Sequence, residues 1–236
     1  MDKRLSDILA EQIAYYDARA SDWNGYGGRG GPYADAASNS IWFSDLRIMH
    51  DEVRALPPSG NVLELAAGTG LWSVELAKHA RKLTVLDASS RMLVINRQRC
   101  DPICKALGIP YRSVCSNMFE WEPDALFDFV FFSFFLCHVP PALFDEFWRT
   151  IRRYLRPDGR FLFFDSCSRN GSQFENVDFV TTRTLADGRT FRVVKVRYPV
   201  RILQNRLREL GFVASVNHCG RRGLIGSGGV APQNRF

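Results

Sequence analysis

Two stretches near the start of the chain place apolar residues at helical spacing. The apolar positions of the first stretch are Leu5, Ile8, Leu9, Ile13 and Tyr16. This spacing predicts an amphipathic helix over residues 5–20. A second helix is predicted over residues 36–56, where Pro57 and Pro58 end it. Residues 23–33, between the two, contain five glycines and a proline, which predicts an irregular loop that carries aromatic side chains.

After these helices, short apolar strands alternate with helices. The predicted strands cover residues 62–66, 83–86, 111–114, 127–134 and 160–164. The predicted helices cover residues 71–80, 89–107 and 141–155. Such alternation predicts an α/β fold, doubly wound, with a mostly parallel sheet of the seven-stranded type and helices on both faces. The turn at Leu155–Arg160 leads into the fifth strand.

The last third of the chain departs from this alternation. Residues 181–196 predict an extra β-hairpin after the fifth strand, closed at Asp187-Gly188. A helix over residues 200–210 and a strand over 212–216 follow. The segment from Gly226 is rich in glycine, and we expect it to be poorly ordered. The resulting division is a helical N-terminal cap with a lid loop, residues 1–57, and a main domain, residues 58–236, with the hairpin as an insertion.

Composition limits the class of partner. The net charge is +6, but the arginines are scattered and form no basic tract, so we expect no nucleic-acid partner, while an anionic substrate stays open. Charged residues interrupt every apolar stretch of the N-terminus, and no apolar run is long enough to span a membrane. Six cysteines without a CxxC pair predict neither a disulfide scaffold nor a metal site. These features predict a cytoplasmic protein without a metal.

A glycine-containing turn joins the first strand to its helix. It reads Glu64-Leu65-Ala66-Ala67-Gly68-Thr69-Gly70. Its glycines allow close approach of a ligand to the backbone, but Ser73 replaces the third glycine of the dinucleotide fingerprint. Asp87 ends the next strand at the same edge of the sheet, where its carboxylate can accept both hydroxyls of a ribose. The pair predicts a nucleoside-containing ligand.

In their order and spacing, these segments resemble the class I methyltransferases that depend on S-adenosylmethionine (SAM) and release S-adenosylhomocysteine (SAH). The resemblance is firm over residues 60–165 and includes the fourth strand, Phe127–Ser133. It implies SAM as cofactor and a small-molecule acceptor. Two positions depart from the family pattern: Ala66 replaces a glycine, and Asn117 replaces the aspartate that often meets the adenine edge.

The resemblance also implies individual roles. The residues expected at the cofactor are Tyr16, Arg19, Glu64, Ala66, Gly68, Gly70, Asp87, Ala88, Met92, Asn117, Met118 and Ser133. Glu64 is expected to meet the cofactor's amino group, Asp87 the ribose, and Ala88, Met92, Asn117 and Met118 the adenine. Two roles stay open for Arg19. It either forms a bidentate hydrogen bond to the cofactor's carboxylate or lies on the protein surface without a specific role.

The acceptor pocket is expected over the carboxyl ends of the strands, beneath the N-terminal cap. Its expected lining residues are Trp23, Tyr26, Arg29, Tyr33, Trp42 and Phe135. His138 follows the fourth strand and is the candidate general base, although a packing role for it stays open. A base favours transfer to oxygen. The alternatives are N- or C-methylation of a small metabolite, an RNA or protein methyltransferase, a SAM-binding module without activity, and an NAD-dependent oxidoreductase, which the glycine spacing disfavours.

Overall fold

The computed structural model describes residues 3–23, 36–167, 179–221 and 223–232. Its helices are α1 (Lys3–Ala18), α2 (Ala36–Ala55), α3 (Ser73–Ala77), α4 (Ser90–Leu107), α5 (Phe144–Tyr154) and α6 (Val200–Glu209). Its strands are β1 (Asn61–Leu65), β2 (Lys82–Asp87), β3 (Tyr111–Cys115), β4 (Phe127–Ser133), β5 (Leu155–Ser166), β6 (Val180–Thr184), β7 (Thr190–Val194), β8 (Phe212–Cys219) and β9 (Gly223–Val230). No helix in these ranges is long and apolar enough to cross a membrane.

Seven strands form one sheet in the order β3-β2-β1-β4-β5-β9-β8. The five strands from β3 to β5 are parallel, whereas β9 runs antiparallel to both of its neighbours. The remaining two strands, β6 and β7, form the separate antiparallel hairpin. The predicted fold class, a mostly parallel seven-stranded sheet with an extra hairpin after the fifth strand, is confirmed.

Helices cover both faces of the sheet. Successive residues of a strand point to opposite faces, so each strand contributes side chains to the core on both sides. On β4, Val130 and Phe132 lie in the core beneath α5 and α6, while Phe129 and Phe131 lie in the core beneath α2, α3 and α4. All four side chains are almost completely buried. The strands are therefore apolar on both sides, as expected for a parallel sheet enclosed by helices.

Helix α3 is shorter than the 71–80 predicted. It ends at Ala77 because the next two amide groups bond to carbonyl groups three residues earlier: Lys78 donates to Glu75, and His79 donates to Leu76. These bonds tighten the chain into a turn. The start of α4 follows the prediction, since Ser89 is its N-cap and accepts the Met92 amide at 3.1 Å.

The prediction for the segment from Gly226 was wrong over residues 226–230, while residues 233–236 lie outside the described residues. Instead of being poorly ordered, residues 226–230 complete β9, which lies between β5 and β8. Packing requires a glycine at position 226, because a Cβ atom there would overlap the ring of the buried Phe163. Glycine composition alone suggests a loose tail, but here it permits a strand to lie close against large aromatic side chains.

We expect Gly226→Ala to lower the free energy of unfolding by about 1–3 kcal/mol, because the added methyl group forces the Phe163 ring out of a well-packed core. Denaturant unfolding measures the change. Ser227→Ala, at the next position of β9, is the matched control and should change stability by less than about 0.5 kcal/mol. Equal stability of the two variants would contradict this account of the glycine.

The hairpin is held against α1 by polar contacts at the ends of long side chains. Glu11 accepts the Arg192 amide at 2.8 Å and the Arg192 guanidinium at 2.5–3.0 Å. Gln12 accepts the Val194 amide at 3.0 Å and donates to the His138 carbonyl at 3.1 Å. Charge-assisted and buried contacts of this kind fix geometry well. The first helix therefore joins the hairpin to the loop that follows β4.

Candidate active site

A cavity of about 1110 Å³ opens at the carboxyl ends of β1, β2 and β4. Sites of open α/β sheets lie at this edge. Its wall includes most of the predicted site residues: Tyr16, Arg19, Trp23, Trp42, Glu64, Ala66, Gly68, Asp87, Ala88, Met92, Asn117, Met118, Ser133, Phe135 and His138. Pockets for a single small ligand have volumes of roughly 300–1000 Å³. The cavity is therefore large enough for a cofactor together with a small acceptor.

Among the predicted residues that the structure describes, Gly70 is the one that does not line this wall. Gly70 faces away from the cavity: a Cβ atom there would lie 3.2 Å from both Asn96 and Cys100. Tyr26, Arg29 and Tyr33 lie outside the described residues. The lid predicted for the glycine-rich loop falls in the same undescribed segment.

The loop after β1 adopts left-handed backbone conformations. Ala66 has φ +50°, and Gly68 has φ +52°. A left-handed conformation costs a residue with a Cβ atom roughly 1–2 kcal/mol, so Ala66 holds local strain where the family pattern has glycine. Asp87 fixes the loop, since its carboxylate accepts the Gly68 amide and the Ser89 amide, both at 2.8 Å. The two strand ends are thus joined at the floor of the cavity.

A network of buried polar side chains supports the loop from behind. Ser73 donates to the Glu64 carboxylate, and Asn96 donates to Ser73 at 3.0 Å and to the Gly68 carbonyl at 3.2 Å. Tyr111 donates to the Asn96 amide oxygen at 2.7 Å. Neither Asn96 nor Tyr111 was predicted from the sequence as a site residue. The only sequence signal for either residue is that a polar side chain occurs among apolar residues predicted to be buried.

Burial also sets the protonation of the two cavity-floor carboxyl groups. The loss of hydration raises the pKa of Glu64 to about 8, with the Ser73 hydrogen bond acting in the opposite direction. The same loss of hydration raises the pKa of Asp87, while the amides of Ser89 and Gly68 oppose the rise. A cation placed beside Glu64 would favour its ionised form. The floor of the cavity therefore suits a positively charged ligand group.

Helix α1 reaches the cavity through its last two turns. Asp17 accepts the Ser89 hydroxyl at 2.7 Å and the Arg91 amide at 3.1 Å, which places a carboxylate at the N-terminus of α4. Arg19 donates to the Tyr15 hydroxyl at 2.9 Å, and its guanidinium lies 4.9 Å from the centre of the Trp23 ring. Asn117 forms a local turn, in which its amide oxygen accepts the Phe119 amide at 3.1 Å.

His138 bonds through both ring nitrogens. Nδ1 lies 2.7 Å from the Val194 carbonyl oxygen, and Nε2 lies 2.8 Å from the Tyr16 hydroxyl. Because a carbonyl only accepts, Nδ1 carries the proton, and the Nε2 lone pair accepts the Tyr16 hydroxyl. Loss of hydration lowers the pKa of His138 well below 6.5, and the positive charges of Lys195 and Arg183 lower it further. The ring is therefore neutral at pH 7.

Comparison with known proteins agrees with this geometry. Residues 62–159 match a family model described as a methyltransferase domain. The solved DhpI–SAH complex resembles nearly the whole chain: the sequences are 31% identical, the match covers 97% of this chain and 99% of DhpI, and the TM-score is 0.78. The chain belongs to the class I SAM-dependent methyltransferases. This methyltransferase also resembles a DhpI–SAM–HEP complex, with the same identity and TM-score.

Two further relatives match less completely. The glycopeptide N-methyltransferase MtfA in complex with SAM shares the fold, with a TM-score of 0.60 and 21% identity over 80% of this chain and 94% of MtfA. An uncharacterised methyltransferase of Staphylococcus carnosus (strain TM300) is 30% identical over 127 residues. That match spans 52% of this chain and only 57% of the S. carnosus protein.

The described residues fit SAM, the cofactor of the family. A Cβ atom at Gly68 would have no neighbour within 4 Å, so the loop backbone faces open cavity. Asp87 retains lone pairs on both carboxylate oxygens beyond the two amides that it accepts. Glu64 adds a buried carboxyl group. Among the described residues, it accepts a hydrogen bond from the neutral hydroxyl of Ser73. A ribose and an ammonium group can both be bound by such a set.

We expect SAH binding to release a proton between pH 6 and 8. In the free protein Glu64 is mostly protonated below its pKa of about 8, and a ligand ammonium group at the position predicted from the sequence would bind the ionised form. Affinity should therefore rise with pH in this range. Calorimetry in two buffers of different ionisation enthalpy measures the released proton. Glu64→Gln should abolish the release; proton release that persists in this variant would assign it to another group.

Proposed function

We propose that this methyltransferase transfers the methyl group of SAM to an oxygen atom of a small molecule. The observation that carries the proposal is the contact between Tyr16 and His138 on the cavity wall, 2.8 Å between hydroxyl oxygen and Nε2. A hydroxyl group backed by a neutral imidazole accepts and relays a proton from an oxygen acceptor. DhpI has been solved in a complex with SAM and HEP.

Within this proposal, the protein's own groups handle the proton. As the acceptor oxygen forms its bond to the methyl carbon and the carbon–sulfur bond breaks, the acceptor hydroxyl gives its proton to Tyr16, and Tyr16 gives its own proton to Nε2 of His138. SAM supplies the electrophilic methyl group and leaves as the neutral thioether SAH. The Val194 carbonyl stabilises the resulting imidazolium by accepting a hydrogen bond from Nδ1–H. His138 thus acts as a base through Tyr16.

The cofactor roles are part of the same proposal. Glu64 binds the ammonium group, Asp87 binds the ribose hydroxyls, and Asn117 and Met118 border the adenine with Ala88 and Met92. Arg19 has no carboxylate within 4.0 Å among the described residues and lies on the cavity wall, which supports a fork to the cofactor's carboxylate. Trp42 and Phe135 line the acceptor side, where Trp42 packs 5.5 Å from the Phe134 ring.

N-methylation is the principal alternative, because MtfA shares the fold. An amine acceptor arrives largely as an ammonium ion and is attracted by carboxylates, whereas the wall around His138 carries Arg183 and Lys195. This charge favours oxygen over nitrogen as the acceptor atom. The same scaffold supports both reactions, so the distinction depends on these side chains and not on the fold.

The test uses SAM with a carbon-13 methyl group and panels of small alcohols, phenols, carboxylates, phosphates and amines. SAH formation identifies an acceptor, and the methyl carbon resonance of the product identifies the bonded atom. An O-methyl product supports the proposal. An N- or C-methyl product as the main outcome would replace it with the corresponding alternative. Tight SAM binding without SAH formation across all panels would favour a binding module.

A further inference from the structure

The cavity wall carries charged side chains of both signs. The carboxyl groups of Glu64 and Asp87 lie at the ends of β1 and β2, where the cofactor is expected. The described part of the hairpin region contributes only cations to the wall: Arg183 lies on β6, and Lys195 and Arg197 follow β7. The other charged residues of the wall are Arg19, Asp22, Asp45 and Arg221. The hairpin region is therefore a positively charged part of the cavity wall.

Cations of the hairpin region differ in whether a carboxylate balances them. Arg189 pairs with Asp187 at 2.7 Å, and Arg192 pairs with Glu11 at 2.5 Å; neither arginine lies on the cavity wall. Arg183 and Lys195 are on the wall, and no carboxylate of the described residues lies within 4.0 Å of either. Among these four described cations, the two that line the cavity are the two without an ion pair, although the buried Asp165 still interacts with Lys195 at longer range.

The two hydrogen-bond partners of the Lys195 ammonium group are neutral. This ammonium group lies 3.0 Å from the Cys137 sulfur and 3.4 Å from the Ser166 hydroxyl. Burial raises the pKa of Cys137, so its sulfur stays a thiol. The nearby Asp165 is completely buried, and its carboxylate accepts the amides of Cys137 at 2.9 Å and Ser166 at 2.6 Å. The ammonium group therefore keeps donor capacity for a ligand.

The hairpin holds both cations in place relative to His138. Its strand β7 is fixed to α1 through the contacts of Arg192 and Val194, and the Val196 amide donates to the Cys137 carbonyl at 2.8 Å. The positive charges of Lys195 and Arg183 both act on His138, and that of Arg183 acts on Tyr16. Both cations therefore lie within electrostatic range of the Tyr16–His138 pair, and the Lys195 ammonium group contacts Cys137, the residue before His138.

We propose that the methyl acceptor carries an oxyanion, a carboxylate or a phosphate-type group, which Arg183 and Lys195 bind. This rests on the proposed function and specifies its substrate class. A guanidinium binds two oxygens of such a group at once, and an ammonium group adds a point charge. A bound oxyanion also offsets the two positive charges beside His138, so acceptor binding makes the imidazole a stronger base.

The test is titration of the SAH-saturated protein with two probe pairs, measured by calorimetry. Acetate is compared with acetamide, and inorganic phosphate with glycerol, so that the two sources of an oxyanion are separated. We expect at least one oxyanion to bind at least tenfold more tightly than its neutral partner. Arg183→Gln should weaken that binding at least tenfold, and Lys195→Met should do likewise. Arg189→Gln removes a cation of the same hairpin away from the cavity and should have no effect.

Measurement of SAH affinity in each variant separates the possible failures. Normal SAH binding in all three variants shows that the cavity is intact. If neither oxyanion binds better than its neutral partner, or if Arg189→Gln weakens binding as much as Arg183→Gln, the inference is overturned while the methyltransferase function stands. An oxygen acceptor without charge, whose turnover Arg183→Gln leaves unchanged, would also overturn it. Absence of SAH binding by the unaltered protein would remove the proposed function itself.

Discussion

Replacing Asp87 by alanine is expected to weaken SAH binding at least a hundredfold, to the point where titration detects no complex at micromolar ligand. In the proposed cofactor site the Asp87 carboxylate accepts the two ribose hydroxyls, and a hydrogen bond to a charged group contributes roughly 1.5–3 kcal/mol. Loss of two such bonds corresponds to about 3 kcal/mol or more, and 1.4 kcal/mol is about tenfold in affinity. The Gly68 and Ser89 amides also lose their acceptor, which loosens the loop.

The control for this prediction is Asp124→Ala. Asp124 is an exposed carboxylate that pairs with Arg112 outside the cavity wall, so SAH affinity should stay within about twofold of the unaltered protein. Asp87→Asn keeps one acceptor oxygen and should fall between the two. Thermal unfolding of each variant separates a lost contact from a lost fold. Affinity of Asp87→Ala within threefold of the unaltered protein would remove Asp87 from the cofactor site.

Sequence patterns predicted the strands of the parallel sheet because burial on both faces produces uninterrupted apolar runs. Strand β4 illustrates this: Phe127–Ser133 is apolar except for Asp128 and its last residue. The same reasoning failed for β9, Gly223–Val230, whose glycines were read as disorder. A strand rich in glycine has no apolar periodicity, and the need for small residues arises only from Phe163 on the neighbouring strand. That contact joins residues distant in sequence.

Some residues of the candidate site were predicted from the sequence, and others were missed. Glu64 and Asp87 were predicted because strand ends fix them to one edge of the sheet before any tertiary detail is known. Asn96 was missed, because a single polar residue inside a helix gives no indication that it bonds to a loop 23–29 residues away. Arg183 and Lys195 were missed because the position of the hairpin depends on α1 contacts about 180 residues away in sequence.

The partnership of Tyr16 and His138 lies at the limit of sequence reasoning. Both residues were named as candidates, Tyr16 for the cofactor and His138 as a base, but they are 122 positions apart and no pattern relates them. In the structure the His138 ring meets the cavity alongside the Tyr16 hydroxyl, and both line the wall. Their role in catalysis stays a prediction, and the hydrogen bond between them makes that prediction more specific.

We expect Tyr16→Phe to lower kcat by about 10²–10⁴, the range for loss of general-base assistance, while SAH affinity changes less than threefold. The substitution keeps the ring and removes only the hydroxyl that bonds to Nε2. Tyr15→Phe is the matched control: it removes a hydroxyl of the same helix that bonds instead to Arg19, and it should leave kcat within a few-fold. The measurement requires the acceptor identified by the labelled-methyl screen.

A double-mutant cycle then separates a proton relay from two independent roles. If Tyr16 and His138 act as one unit, His138→Gln alone should cost about as much in kcat as Tyr16→Phe, and the double variant should cost no more than either. Because the pKa of His138 lies well below 6.5, kcat/KM should also stay level above that pH. Losses that multiply in the double variant would mean independent roles. Full activity of His138→Gln would leave the ring only a packing role, with the acceptor oxygen reacting in a form already ionised.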